Sequence, residues 1–125
     1  MLRPMVGEGQ HAKAEARSQR LSGFGRFAGP ATLILSSLAE CSKHGWALTK
    51  DIEAFAGVRL APGTLYEAIN RLERLGLIEA VPSDDRRRPY RLTAAGAAAL
   101  KEHLARQRRI VNVGLSRLRT NWSAV

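Results

Sequence analysis

Leu60-Ala61-Pro62-Gly63-Thr64-Leu65-Tyr66-Glu67-Ala68-Ile69-Asn70-Arg71-Leu72-Glu73-Arg74-Leu75-Gly76 is the stretch on which the fold of this chain turns. Proline suits the first position of a helix, where its missing N–H would have had no partner. At about 100° per residue, Leu65, Ala68, Ile69 and Leu72 then fall on one side. The opposite side carries Gly63, Glu67, Asn70 and Arg74, flanked by Thr64, Tyr66 and Arg71. Gly76 stands where a left-handed terminating residue is expected. The spacing predicts an amphipathic helix from Pro62 to about Leu75, one side for a core and the other for a polar partner.

Upstream lie two further helices. Leu48, Ile52 and Phe55 form the apolar face of one running from about Trp46 to Ala56, with Gly57 as its stop. Before it, Ala31, Ile34, Leu35, Leu38 and Cys41 recur at helical spacing after Gly29-Pro30, and His44-Gly45 closes that segment. The pattern places Cys41 in the core. Residues 1–29 scatter five glycines among few apolar residues and read as a flexible basic arm.

Downstream, Leu77-Ile78-Glu79-Ala80-Val81 is short and partly β-branched, and Pro82 closes it as a strand. Ser83-Asp84-Asp85 is turn chemistry. Arg86-Arg87-Arg88 follows, and Pro89-Tyr90-Arg91-Leu92 is the return strand, with the proline at its start or on an edge. Thr93 is an N-cap for a long last helix, 94 to about 120. The expected architecture is mainly α with a small β-hairpin: a winged helix-turn-helix over 30–92, then a C-terminal dimerisation helix over 93–125.

The chain has 125 residues and a formal charge of +9, with 45% hydrophobic residues. That length supports one domain with one core, and the charge favours a polyanionic partner. Residues 1–29 hold five bases and two acids, 30–92 nine and eight, and 93–125 six and one. A DNA face in the middle must therefore come from placement rather than excess. One cysteine excludes an intrachain disulfide and fits a reducing compartment. The absence of a signal core or a run of about 18 apolar residues points to a soluble, cytoplasmic protein with no membrane partner.

Three short helices, a hairpin with a basic tip and a long helix make the informative order. A helix-turn-helix places its second helix in the major groove of double-stranded DNA. Asn70 can bond adenine bidentately, Arg71 and Arg74 guanine, and Thr64 and Tyr66 phosphate or base edges. Gly63 lets the backbone approach a phosphate. Arg86, Arg87 and Arg88 sit at a hairpin tip, where no core use is available, and suit phosphates or a narrow minor groove. In the last helix Leu104, Val111 and Leu118 are seven apart, with Leu100 and Leu115 beside them. Such a stripe is too apolar for a lone surface helix and calls for a second copy.

The segment from Leu60 to Tyr66, continuing through Ile69, Arg71-Leu72-Glu73 and Gly76-Leu77-Ile78, resembles the recognition-helix signature of the PadR family of transcriptional regulators. Arg87-Arg88-Pro89-Tyr90-Arg91-Leu92-Thr93-Ala94-Ala95-Gly96 resembles that family's wing and its entry to the C-terminal helix. The resemblance covers about 30–110. It implies a homodimer built through the C-terminal helix, usually a repressor, often released by a small molecule. It also implies DNA contacts at Thr64, Tyr66 and the wing arginines, and a dimer should set the operator as an inverted repeat. Glu67 stands where the family often has proline, and the arm is longer than in many members. The single C-terminal helix matches the family's shorter branch.

Other sites are not expected. His11, His44 and His103 share no ligand spacing with Cys41, so no metal is called for. No phosphate loop or nucleophile elbow occurs, and neither an enzyme nor a cofactor is expected. Trp46 is expected in the core. Trp122 either caps the last helix or lines a dimer pocket for a planar aromatic effector. The rival to a DNA-binding regulator is a winged-helix protein–protein interaction module without DNA binding, whose assembly would be insensitive to DNA.

Overall fold

The computed structural model describes residues 28–84 and 86–122. Their elements are α1 (Ala28–Leu38), α2 (Gly45–Ala56), α3 (Pro62–Arg74), β1 (Ile78–Ala80), β2 (Tyr90–Leu92) and α4 (Ala94–Asn121). The expected arm lies outside the described residues except for Ala28 and Gly29, which are helical, so α1 includes two residues before Pro30.

Local chemistry sets the helix ends. His44 caps α2 through Nδ1, which accepts from the Ala47 N–H. Gly57 ends α2 at φ 67°, its N–H donating to the Glu53 carbonyl. Pro62 opens α3. Gly76, at φ 74°, donates to Glu73, while Leu77 N–H donates to Leu72. These two bonds form a Schellman close, which satisfies carbonyls the helix would otherwise leave bare. Thr93 does two jobs with one hydroxyl. It accepts from the Gly96 N–H at 3.0 Å as the α4 cap, and it donates to the Gly76 carbonyl at 2.7 Å. The start of α4 is thereby tied to the end of α3.

β1 and β2 pair antiparallel, with Ile78 opposite Leu92, Glu79 opposite Arg91 and Ala80 opposite Tyr90. Lys43, in the connection between α1 and α2, adds an isolated antiparallel bridge to Tyr90. Its N–H and carbonyl exchange both hydrogen bonds with Tyr90, at 3.0 and 2.9 Å. The Lys43 ammonium donates to the Ser37 carbonyl and to Glu40, and Ser37 Oγ donates to Asp51 at 2.6 Å. Burial opposes the Lys43 charge, but the Glu40 hydrogen bond and the electrostatic influence of Cys41, Glu40 and Asp51 outweigh it and raise its pKa. The hairpin base is thus fastened to α1 and α2.

The core gathers Ile34, Leu35 and Leu38 of α1, Leu48 and Ile52 of α2, and Leu65, Ile69 and Leu72 of α3. Leu77, Ile78 and Tyr90 of the hairpin and Ala99 and Leu100 of α4 complete it. Each large aliphatic side chain buried there is worth about 1.5–3 kcal/mol. Gly96 is where α4 meets the hairpin: a Cβ there would run into the Leu77 carbonyl and the Leu92 side chain.

Three expectations of burial are corrected. Cys41 is exposed, because α1 ends at Leu38 and Cys41 falls in the following turn, off the helical face. Trp46 is 66% exposed. It lies on the side of α2 away from Leu48 and Ile52, and Lys50 Nζ stands 5.2 Å from its ring centroid. Phe55 is exposed together with Ala54 and Ala56, since none of the described elements covers the last turn of α2.

Candidate nucleic-acid interface

Helix α3 buries Leu65, Ala68, Ile69 and Leu72. That fixes its rotation and turns Gly63, Tyr66, Glu67, Asn70 and Arg74 outward, with Thr64 and Arg71 at the margins. A Cβ at Gly63 would meet nothing within 4 Å, so the space above this first turn is open. Arg71 and Glu67 approach to 4.0 Å, one turn apart, both roughly half exposed. Such a pair is worth little in water and yields readily to a stronger partner. Arg74 Nε donates to the Asn70 carbonyl at 3.4 Å, which lays its side chain along the helix.

Tyr66 reaches across to the start of α2. A Cβ on Gly45 would stand 2.5 Å from the Tyr66 hydroxyl oxygen. Glycine therefore lets the hydroxyl end of the phenol sit against the helix start. The wing arginines Arg86, Arg87 and Arg88 are all exposed. Behind them, Arg91 and Glu79 pair across the two strands at 2.7 Å.

These parts meet in one cleft of about 400 Å³. Its walls are His44, Gly45 and Trp46 from α2, Tyr66 from α3, and Arg86–Arg88 with Tyr90 from the wing. An adjoining cleft of about 280 Å³ runs between α2 and α3 and shares Trp46 and Tyr66. Arginines lining a concave surface can grip an anion bidentately. The structure thus brings Tyr66 together with the wing arginines. Asn70, Arg71 and Arg74 lie further along α3 and line neither of these clefts. The sequence reading missed Trp46, Lys50 and His44. One signal was available: on a helical wheel Trp46 falls on the side away from Leu48 and Ile52, about 160° from the first and about 120° from the second.

The second region is the length of α4. Gly96, Ala99, Leu100 and His103 are buried in the chain's own core. Leu100, expected in the outward stripe, belongs to this root. Leu104, Val111, Leu115 and Leu118 are 42–55% exposed in a single chain, and Ile110 and Val113 join them. Trp122 follows as the C-cap residue and is largely exposed, its N–H donating to Leu118. His103 sits where α4 leaves the domain, beside a groove lined by Thr32, Leu33 and Gln107. Burial, and then the charge of Arg106, lowers its pKa.

Among the described residues no cluster of three His, Cys, Asp or Glu side chains could hold a metal ion. His11 lies outside those residues. No described helix is long and apolar enough to cross a membrane.

Comparison with known proteins adds the family. The chain is 43% identical over 72 residues to the transcriptional regulator Rv3488 of Mycobacterium tuberculosis, a match covering 55% of this chain and 66% of that one. It is 42% identical over 69 residues to an uncharacterized 37.1 kDa protein in transposon TN4556 of Streptomyces fradiae. That match covers 55% of this chain and only 20% of the relative. The chain therefore spans less than two thirds of the length of either. A PadR family transcription regulator from Clostridium difficile superposes with a TM-score of 0.65 at 28% identity, over 71% of this chain and 97% of the other. Residues 34–102, from α1 to the root of α4, match the profile of one family, so the chain belongs to the transcriptional regulator PadR-like family, whose members are regulators rather than enzymes.

Proposed function

We propose that this chain is a sequence-specific regulator of transcription that binds double-stranded DNA as a homodimer, with α3 in the major groove and the wing on the flanking backbone. The observation that carries this reading is the cleft in which Tyr66 of α3 and Arg86–Arg88 of the wing converge. The core-facing leucines of α3 leave Asn70, Arg71 and Arg74 on or beside the outward face, the residue types that bond base edges. Dimerisation through α4 is supported by the four half-exposed aliphatic side chains Leu104, Val111, Leu115 and Leu118, spaced by seven, four and three. Gly114 lies near that stripe, and a Cβ there would meet open space in the single chain.

Two copies related by a two-fold axis would read an inverted repeat, with half-sites about 10 bp apart. The regulator acts as a repressor in the cytoplasm. A planar aromatic effector held between the two copies beside Trp122 weakens its grip on DNA. Sequencing fragments of genomic DNA retained by the purified protein tests the reading: inverted half-sites at that spacing are expected. Retention of no fragment above background at low salt would sink it. For the effector, Trp122 emission is followed during an aromatic-compound screen. Unchanged emission and unchanged DNA affinity throughout would remove that part.

A further inference from the structure

Trp46 is two-thirds exposed, yet it forms a wall of both clefts beside α3. Large aromatic side chains seldom stay on a surface without a partner. The Lys50 ammonium stands over the Trp46 ring, 5.2 Å from the centroid. Three arginines and Tyr66 line the larger cleft with Trp46. A flat apolar ring and a cluster of arginines lining one cleft match one chemical unit, an anion joined to an apolar ring. In duplex DNA that unit is a phosphate with its deoxyribose.

We infer that the cleft between α2 and the wing is a subsite for one sugar–phosphate step of the DNA backbone, with Trp46 as the wall that covers the sugar. This rests on the DNA-binding reading above and adds a residue and a role to it. The arginines take the phosphate, and the indole excludes water from the deoxyribose edge. The Lys50 ammonium, beside the indole ring, adds positive charge along the same path. Both contacts are with the backbone, so the subsite works on any sequence. Because the indole carries no charge, it releases no counterion, and its contribution is independent of salt.

The test uses the full chain and a mixed-sequence duplex of roughly 30 bp, titrated from about 50 to 200 mM salt. Trp46→Ala should weaken binding about tenfold at every salt concentration, a loss of about 1.4 kcal/mol, and leave the log–log slope unchanged. Trp46→Phe should restore most of the affinity. Saturating duplex should roughly halve acrylamide quenching in the wild type and change it little in Trp46→Phe, where only Trp122 emits. Melting temperatures of both variants should match the wild type, since the side chain is outside the core. If Trp46→Ala binds as the wild type does and quenching ignores DNA, the subsite is wrong while DNA binding stands. If Trp46→Ala flattens the salt slope, the ring acts by placing the arginines rather than by covering sugar, and the inference is again wrong. A wild type that binds no duplex at low salt overturns both readings.

Discussion

Replacing Arg86, Arg87 and Arg88 together with alanine separates gripping DNA from reading it. All three are exposed and lie outside the core, so the variant should melt as the wild type does. All three also line the cleft that faces Tyr66. If each arginine neutralises one phosphate, its loss flattens the log–log dependence of affinity on salt by about 0.9. Three such losses give about 2.7 per half-site and about 5.4 for a dimer. Between 50 and 200 mM salt the wild type should then lose roughly a thousandfold more affinity than the variant. Random DNA should suffer as much as the operator, because phosphates carry no sequence. By contrast, Asn70→Ala should cost about 1–3 kcal/mol on the operator and little on random duplex, since its side chain projects from a rigid helix. The assay is fluorescence anisotropy on operator and scrambled duplexes over a salt series. A triple variant that keeps the wild-type slope and loses only operator discrimination would refute the reasoning, for the wing would then be reading bases.

Three further outcomes are expected. Leu104→Glu with Val111→Glu places two charges per chain in the exposed stripe of α4, and sedimentation should show monomers where the wild type is dimeric. A wild type that is monomeric at micromolar concentration would refute the dimer. Gly96→Ala forces a Cβ into the Leu77 carbonyl and Leu92. The Thr93 bonds at the start of α4 prevent an easy retreat, so overpacking should cost about 1–3 kcal/mol. Thermal unfolding within a few tenths of a kcal/mol of the wild type would show that the helix can shift. His103 is held below its ordinary pKa of 6.5 by burial and by Arg106. Below that value the unfolded imidazole takes up a proton that the folded one resists. Stability present above pH 6.5 is therefore lost as pH falls towards the folded pKa. His103→Gln should flatten this part of the denaturation profile, and an unchanged profile would assign the slope to other groups.

Most of the helices were legible because their signals are local. The apolar period of α3, Pro62 at its start, Gly76 at its end and the Thr93 cap each depend on neighbours a few residues away. The structure realises all of them. The strands formed where β-branched residues and prolines marked them, only shorter. The family was legible for a related reason, since its signature is a run of such local features in a set order.

Burial depends on what arrives from elsewhere in the chain, and there local pattern ran out. Phe55 keeps the spacing of Leu48 and Ile52 but lies where none of the described elements covers it. Leu100 keeps the phase of the outward stripe, yet the hairpin and α1 enclose it. Cys41, in the turn after α1, and Trp46, on the outer side of α2, lie where the core does not reach.

By itself the sequence determined where α2 stops, where α3 starts and stops, where α4 starts, and which side of α3 faces inward, because hydrogen-bond closure and side-chain period act over one or two turns. Only the tertiary structure decided that Lys43 pairs with Tyr90, that Gly45 lies against Tyr66, and that Trp46 shares a cleft with Arg86–Arg88, about 40 residues on. Those contacts come from packing all the elements around one core, and no window of sequence contains both partners.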